Sequence, residues 1–141
     1  MQPPKKEEQK KIPINLVYLA GPIDANKTRT EWYEFLAHQL RKRNISIYNP
    51  SKGVKWAGGP EAAYSIDIIN DVAISLSDFV VCFFPKDTLT IGTTVDMMAA
   101  IGYGKPLAVI TDEERPMLYF SNLTVFSTFD DVLEHILSIR L

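Results

Sequence analysis

Short uninterrupted apolar runs in this chain alternate with stretches in which apolar residues recur every third or fourth position, which predicts strands and helices in turn. Ile14 to Ala20 reads as the first strand, stopped by Gly21-Pro22, since the proline removes a ladder donor. Trp32, Phe35, Leu36 and Leu40 then repeat at helical spacing over about Thr30 to Arg43. Thr28 or Thr30 is placed to cap the start of this helix, and Arg41, Lys42 and Arg43 complement the dipole at its end. Ile45 to Tyr48, closed by Asn49-Pro50, is a second strand. A Gly- and Lys-containing loop leads to Pro60, and Glu61 to Leu76 is a second helix. Asp78 to Phe84 is apolar throughout after its first residue, the pattern of a strand covered on both faces, so it belongs at the centre of a sheet. Pro85 to Gly92 reads as a loop, Thr93 to Tyr103 as a third helix, and Gly104-Lys105-Pro106 as a stop before the strand Leu107 to Ile110. Leu123 to Phe126 is a fifth strand. A last helix, Asp130 to Ile139, has Thr128 as its cap and Asp130 and Asp131 in its first turn.

Strands joined through helices run parallel, each crossover is right-handed, and helices cover both faces. The expected fold class is α/β: a single doubly wound domain, flavodoxin-like or Rossmann-like, with a five-stranded parallel sheet spanning residues 13–141, after a charged and disordered tail at 1–12. The chain of 141 residues, 46% of them hydrophobic, supplies one core rather than two. A net charge of −2 gives no broad basic surface, which excludes a nucleic-acid partner and favours a small molecule. Cys82, the only cysteine, sits inside the run Phe79 to Phe84 and reads as a small core residue without a disulfide partner. No stretch resembles a secretory signal or approaches the roughly 20 apolar residues of a membrane span, so a cytoplasmic protein with no membrane partner is expected.

In such a sheet, ligands bind beyond the carboxyl ends of the strands. That rule selects Gly21-Pro22-Ile23-Asp24, Asn49-Pro50, the loop before Gly92, and the segment after Ile110. Gly92-Thr93-Thr94-Val95-Asp96 combines a glycine that admits a ligand, the free N–H groups of a helix start and a carboxylate. Asp96 has two readings at this point: it faces a ligand, or it closes a capping box opened by Thr93. Asp71 and Asp78 read by default as solvated or hydrogen-bonding acids. Trp56, in the loop after the second strand, either stacks on a base or packs on the domain edge. His38 and His135 lie in different helices with no ligand-like spacing, so neither a metal nor another cofactor is expected. The chain contains neither Gly-x-Gly-x-x-Gly after its first strand nor a Gly-x-x-x-x-Gly-Lys-Ser/Thr loop, which excludes dinucleotide dehydrogenases and P-loop enzymes. Strands ending in Ala-Gly-Pro and Phe-Phe-Pro also lack the acids of a phosphoacceptor domain.

Taken in order, Val17-Tyr18-Leu19-Ala20-Gly21-Pro22-Ile23, Tyr48-Asn49-Pro50, Asn70-Asp71, Ser77-Asp78-Phe79-Val80-Val81, Gly92-Thr93-Thr94-Val95-Asp96 and Gly104-Lys105-Pro106 resemble the nucleoside 2-deoxyribosyltransferase family. Relatives of that family include deoxynucleoside 5'-monophosphate N-glycosidases, and the likeness runs from about Leu16 to Phe126. The resemblance implies that Asp96 is the nucleophile, at the position where the family motif Gly-Thr-x-x-Glu ends in an acid. It implies that Tyr18 orients this carboxylate, that Asp71 holds a sugar hydroxyl, and that Asn122 reaches into the site of a neighbouring subunit of a homo-oligomer. Gly21, Pro22, Gly92, Thr93 and Trp56 complete the expected substrate-binding set, with a nucleoside or nucleotide and a free base as ligands. Two positions depart from the pattern: Asp96 is one methylene shorter than Glu, and Thr90, six residues before it, stands where some members carry an acid that handles the base. Three readings follow. The first is a deoxyribosyltransferase. The second is a monophosphate N-glycosidase, in which Lys27 or Arg29 meets the phosphate. The third is a nucleotide-binding module without turnover.

Overall fold

A computed structural model describes residues 10–22, 31–50, 60–86, 90–111 and 123–141. Strands β1 (Leu16–Ala20), β2 (Ser46–Tyr48), β3 (Phe79–Phe84), β4 (Leu107–Thr111) and β5 (Thr124–Phe126) form one sheet in the order β2-β1-β3-β4-β5, with every pairing parallel. Among the described residues the helices are α1 (Glu31–Arg41), α2 (Pro60–Leu76), α3 (Ile91–Gly102) and α4 (Phe129–Ile139). This is the flavodoxin-like doubly wound topology expected from the alternation of runs. Most element boundaries differ from expectation by one or two residues.

The period of two along each strand divides the core into two layers. Val17 and Leu19 of β1, Phe79 and Val81 of β3, and Ala108 and Ile110 of β4 pack with Leu36 and Leu40 of α1 and Val132 and Ile136 of α4. The intervening residues, Tyr18, Ala20, Val80, Cys82 and Val109, face Ile74 of α2 and Met97 and Ala100 of α3. β3 is therefore apolar at every position because both of its faces are covered.

Side chains and caps hold the ends of these elements. Asp78 accepts hydrogen bonds at Oδ2 from the N–H groups of Asn15 (2.8 Å) and Leu16 (3.0 Å), fixing the start of β1 against β3. Asn44 (φ 59°) and Gly104 (φ 68°) end α1 and α3 in the left-handed conformation. In each case the following N–H reaches back five residues, Ile45 to the Leu40 carbonyl and Lys105 to that of Ala100, as in a Schellman motif. α1 consequently stops at Arg41 rather than Arg43, because a left-handed residue cannot extend it. Thr128 caps α4 as expected, accepting from the Asp131 N–H at 3.1 Å. Ile12, at the end of the expected tail, is bridged to Arg140, and the Arg140 guanidinium donates to the carbonyls of Ile14 (3.1 Å) and Arg43 (3.0 Å).

The strand order reverses direction at β1 and β3. The helix that follows β1 lies on one face and the helix that follows β3 on the other, which opens a crevice above their carboxyl ends. The start of α3 stands at that crevice.

Candidate active site

Because Val17 and Leu19 face the α1 and α4 layer, Tyr18 between them must face α3, and it is completely buried there. Its O–H donates to Oδ2 of Asp96 at 3.0 Å, which joins residues 78 positions apart. Tyr48, opposite Tyr18 in the β1–β2 register, stacks on it with ring centroids 5.4 Å apart and planes inclined by 19°. The Tyr18 ring is thus wedged between a strand neighbour and a helix, and its hydroxyl is aimed by packing.

Asp96 is half-buried in the second turn of α3. Loss of water pushes its carboxyl up from 3.8 to about 6; the Tyr18 hydrogen bond opposes this rise, and the negative charge of Asp67 on α2 adds to it. Burial and then the Asp96 charge raise the Tyr48 phenol as well. The same two causes, burial first, push the Cys82 thiol far up, so it remains a thiol. With a value of about 6, the Asp96 carboxyl is about nine-tenths ionised at pH 7. Charge is therefore held in a poorly hydrated place, with one oxygen fixed by Tyr18.

α3 begins at Ile91, two residues before the expected start at Thr93. The reason lies in the buried stripe: Thr93, Met97 and Ala100 share one face, so the helical period extends back through Thr93 into the core. The capping box is consequently not formed. Thr90 is the cap residue and makes no side-chain cap bond, Thr94 Oγ1 donates to the Thr90 carbonyl at 2.9 Å, and Asp96 accepts from Tyr18. The buried Thr93 hydroxyl has no hydrogen-bond partner. The N–H groups of Ile91, Gly92 and Thr93, in the first turn, have no intrahelical acceptor. Gly92 is exposed, and a Cβ there would meet nothing, so its place is open to a ligand.

Gly21 and Pro22 follow β1 directly, half-buried at the crevice. Asp71 is not brought to Asp96: it is exposed and accepts the Tyr103 hydroxyl at 2.6 Å, beside the opposite end of α3. The acid on α2 that acts on Asp96 is Asp67, one turn closer to the crevice because α2 runs back from the carboxyl ends of the strands. Asp67 has no role among the sequence expectations, and Tyr48 enters them only as part of the motif Tyr48-Asn49-Pro50. The four-residue spacing of Asp67 and Asp71 on one helical face was the available signal for the first, and the Tyr48-Asn49-Pro50 strand end for the second. Trp56 and Asn122, with Lys27 and Arg29, lie outside the described residues. His38 is exposed. His135 packs near the rings of Phe79 and Phe126, and its burial lowers its pKa. Among the described residues no group of three or more His, Cys, Asp and Glu side chains converges as a metal site, and no helix is long and apolar enough to cross a membrane.

No family model and no curated protein matches the sequence. Solved structures do match. The 2-deoxyribosyltransferase of Bacillus psychrosaccharolyticus is 18% identical, with 84% of this chain and 90% of that chain aligned at a TM-score of 0.72. The 2-desoxiribosyltransferase of Leishmania mexicana is 18% identical over 90% of this chain and 99% of its own, with a TM-score of 0.71. The CMP N-glycosidase of Clostridium botulinum is 16% identical over 86% and 97%, with a TM-score of 0.59. At these identities the likeness establishes a shared fold over nearly the whole length of each chain, and the chemistry must be argued from the residues.

Proposed function

We propose that this protein is an enzyme of the nucleoside 2-deoxyribosyltransferase and N-glycosidase type, which cleaves the N-glycosidic bond of a 2'-deoxynucleoside and transfers the sugar to another base. The observation that carries this reading is the Tyr18–Asp96 pair: a dehydrated carboxylate, aimed by a buried phenol, at the crevice where this fold binds ligands. Folds shared with enzymes named for that chemistry support it.

In this mechanism the free oxygen of Asp96 attacks the anomeric carbon as the base departs with the bonding pair and takes up a proton. The product is a glycosyl ester on Asp96. A nitrogen of a second base then attacks the same carbon, gives up its proton, and releases the carboxylate. Tyr18 keeps its partner oxygen out of the attack and offsets part of the charge. Gly21 and Pro22 line the sugar side, and Gly92 and Thr93 admit the ligand to the start of α3. Asp67 takes the place on α2 that the resemblance implied for Asp71, and Trp56 and a neighbouring subunit's Asn122 complete the site within a homo-oligomer.

A second reading, hydrolysis of a nucleoside 5'-monophosphate, is favoured by the start of α3. There Thr90 replaces an acid, Thr93 leaves a buried hydroxyl without a partner, and first-turn N–H groups suit a phosphate. Incubating the protein with a deoxynucleoside or its monophosphate, with and without a second base, tests both readings. New nucleoside formed only with the acceptor supports transfer. Free base released from the monophosphate alone supports hydrolysis. Absence of both products, and of a mass adduct on Asp96 with a 2-fluoro-sugar substrate, would leave a binding module and overturn the enzyme reading.

A further inference from the structure

Tyr18 is completely buried although its strand lies next to the edge of the sheet. In the parallel register its neighbours across the ladder are Val80 on β3 and Tyr48 on β2, and side chains paired in this way rise from the same face. Ile74 of α2 and Met97 of α3 belong to the apolar layer above them. β2 is the outermost strand and three residues long, so among the described residues no further strand closes the flank beyond Tyr48. Tyr48 is itself half-buried, and its ring lies nearly parallel to that of Tyr18, with 5.4 Å between centroids. On the edge side, the burial of Tyr18 therefore depends on one aromatic side chain.

That flank matters because a phenol is a long lever and its hydrogen bond tolerates little displacement. A swing of the Tyr18 ring by about 10° at Cβ carries the hydroxyl oxygen by about 1 Å, enough to take a 3.0 Å contact out of hydrogen-bond range. Val80 stops the ring on one side and Tyr48 on the other. Among the described residues, four titratable groups act on the Asp96 carboxyl or feel its charge: Tyr18 donates to it from β1, Tyr48 and Cys82 sense it from β2 and β3, and Asp67 repels it from α2. Only the Tyr18 bond favours the ionised form of Asp96. The Tyr48 hydroxyl has no hydrogen-bond partner among the described residues, and burial together with the Asp96 charge keeps it protonated. What Tyr48 presents to Tyr18 is an uncharged ring.

We propose that Tyr48 is a positioning residue whose ring, and not its hydroxyl, holds the Tyr18 phenol on Asp96. The role deepens the reading of Asp96 as nucleophile and rests on it for turnover alone, since the aim of one side chain by another belongs to the free protein. Removing the ring has two opposed effects on the carboxyl. Release of Tyr18 loses the bond that favours charge and moves the titration up, whereas water admitted to the gap moves it down. A double-mutant cycle with Tyr18→Phe separates them, because only the first effect needs the Tyr18 hydroxyl.

The full chain, labelled with aspartate carrying carbon-13 at Cγ and titrated by NMR, reads the carboxyl directly, with the Asp96 signal identified by its loss in Asp96→Asn. Tyr48→Leu should move the Asp96 midpoint at least about 0.5 further up the pH scale when Tyr18 is present than in a Tyr18→Phe background. Tyr48→Phe, which keeps the ring, should stay within about 0.2 of the wild-type midpoint. In base exchange, Tyr48→Leu should lower kcat at least about tenfold with KM within about twofold, and Tyr48→Phe should restore the rate. Circular dichroism and thermal melts identify the folded variants, and Tyr48→Met replaces Tyr48→Leu if the latter does not fold. Equal movements of the midpoint in the two backgrounds overturn the proposal, and so does a Tyr48→Phe midpoint displaced as far as that of Tyr48→Leu. Because the titration needs no substrate, it decides the role of Tyr48 by itself; a wild type without turnover would count against the nucleophile and not against the stack.

Discussion

Replacing Asp96 by asparagine removes the charge that burial opposes and keeps an oxygen to accept the Tyr18 hydroxyl. In the folded chain the Asp96 carboxyl is raised to about 6 from its ordinary 3.8, so the native state binds a proton that the unfolded chain releases. Two units at about 1.4 kcal/mol each amount to about 3 kcal/mol. Because the folded value is the higher one, this contribution to stability is fully present below about pH 4 and is lost as pH rises through about 6. At pH 7 the wild-type protein bears the whole cost of a half-dehydrated charge, and the asparagine variant bears none of it. The added amide N–H₂ needs a partner in the same place, which takes back roughly 1–2 kcal/mol. The expected net effect is thus a gain of about 1–2 kcal/mol at pH 7 and a loss of about 1–2 kcal/mol at pH 4, where the carboxyl is already protonated in the folded chain. Urea unfolding of both proteins at the two pH values, with matching slopes, measures the difference. Base exchange should fall at least about 1,000-fold in the same variant, as when a nucleophile is removed. A variant less stable than wild type at pH 7, or a gain that persists unchanged at pH 4, would refute the electrostatic account.

Tyr18→Phe and Asp67→Asn should move the acid limb of kcat/KM in opposite directions from a wild-type midpoint of about 6. The first deletes a bond that favours the carboxylate and shifts the limb to higher pH; the second deletes a repelling charge and shifts it lower. Shifts of the same sign in pH–rate profiles would contradict the assigned causes. Thr128→Ala should cost about 1 kcal/mol in urea unfolding, since it orphans the Asp131 N–H at the start of α4.

The strands were legible because β3 is apolar at every position and β1 ends at Gly21-Pro22, both local signals of burial and termination. The doubly wound order followed from alternation together with the handedness of crossovers. Two kinds of information were not local. Stacking of Tyr18 on Tyr48 depends on the register between strands that a helix separates in sequence. The choice between Asp67 and Asp71 depends on where along α2 the helix passes α3, and spacing alone places both on one face. The start of α3 went astray for a third reason: Gly92 read as loop, whereas the burial of Thr93 draws the helix back past it. Periodicity identified α2 as a helix, yet it could not show that Tyr64, Ile68, Val72 and Leu76, spaced four apart, would be left facing outward.

The one cysteine of the chain is buried at the centre of the middle strand, with its thiol held protonated by its surroundings. An alkylating reagent can reach Cys82 only when β3 parts from the helices that cover it, so labelling is limited by opening of the core rather than by thiol chemistry. The protein thus carries its own reporter of cooperative unfolding. A ligand that binds only the folded chain would make that opening rarer and register as slower alkylation, with no dye or tag attached.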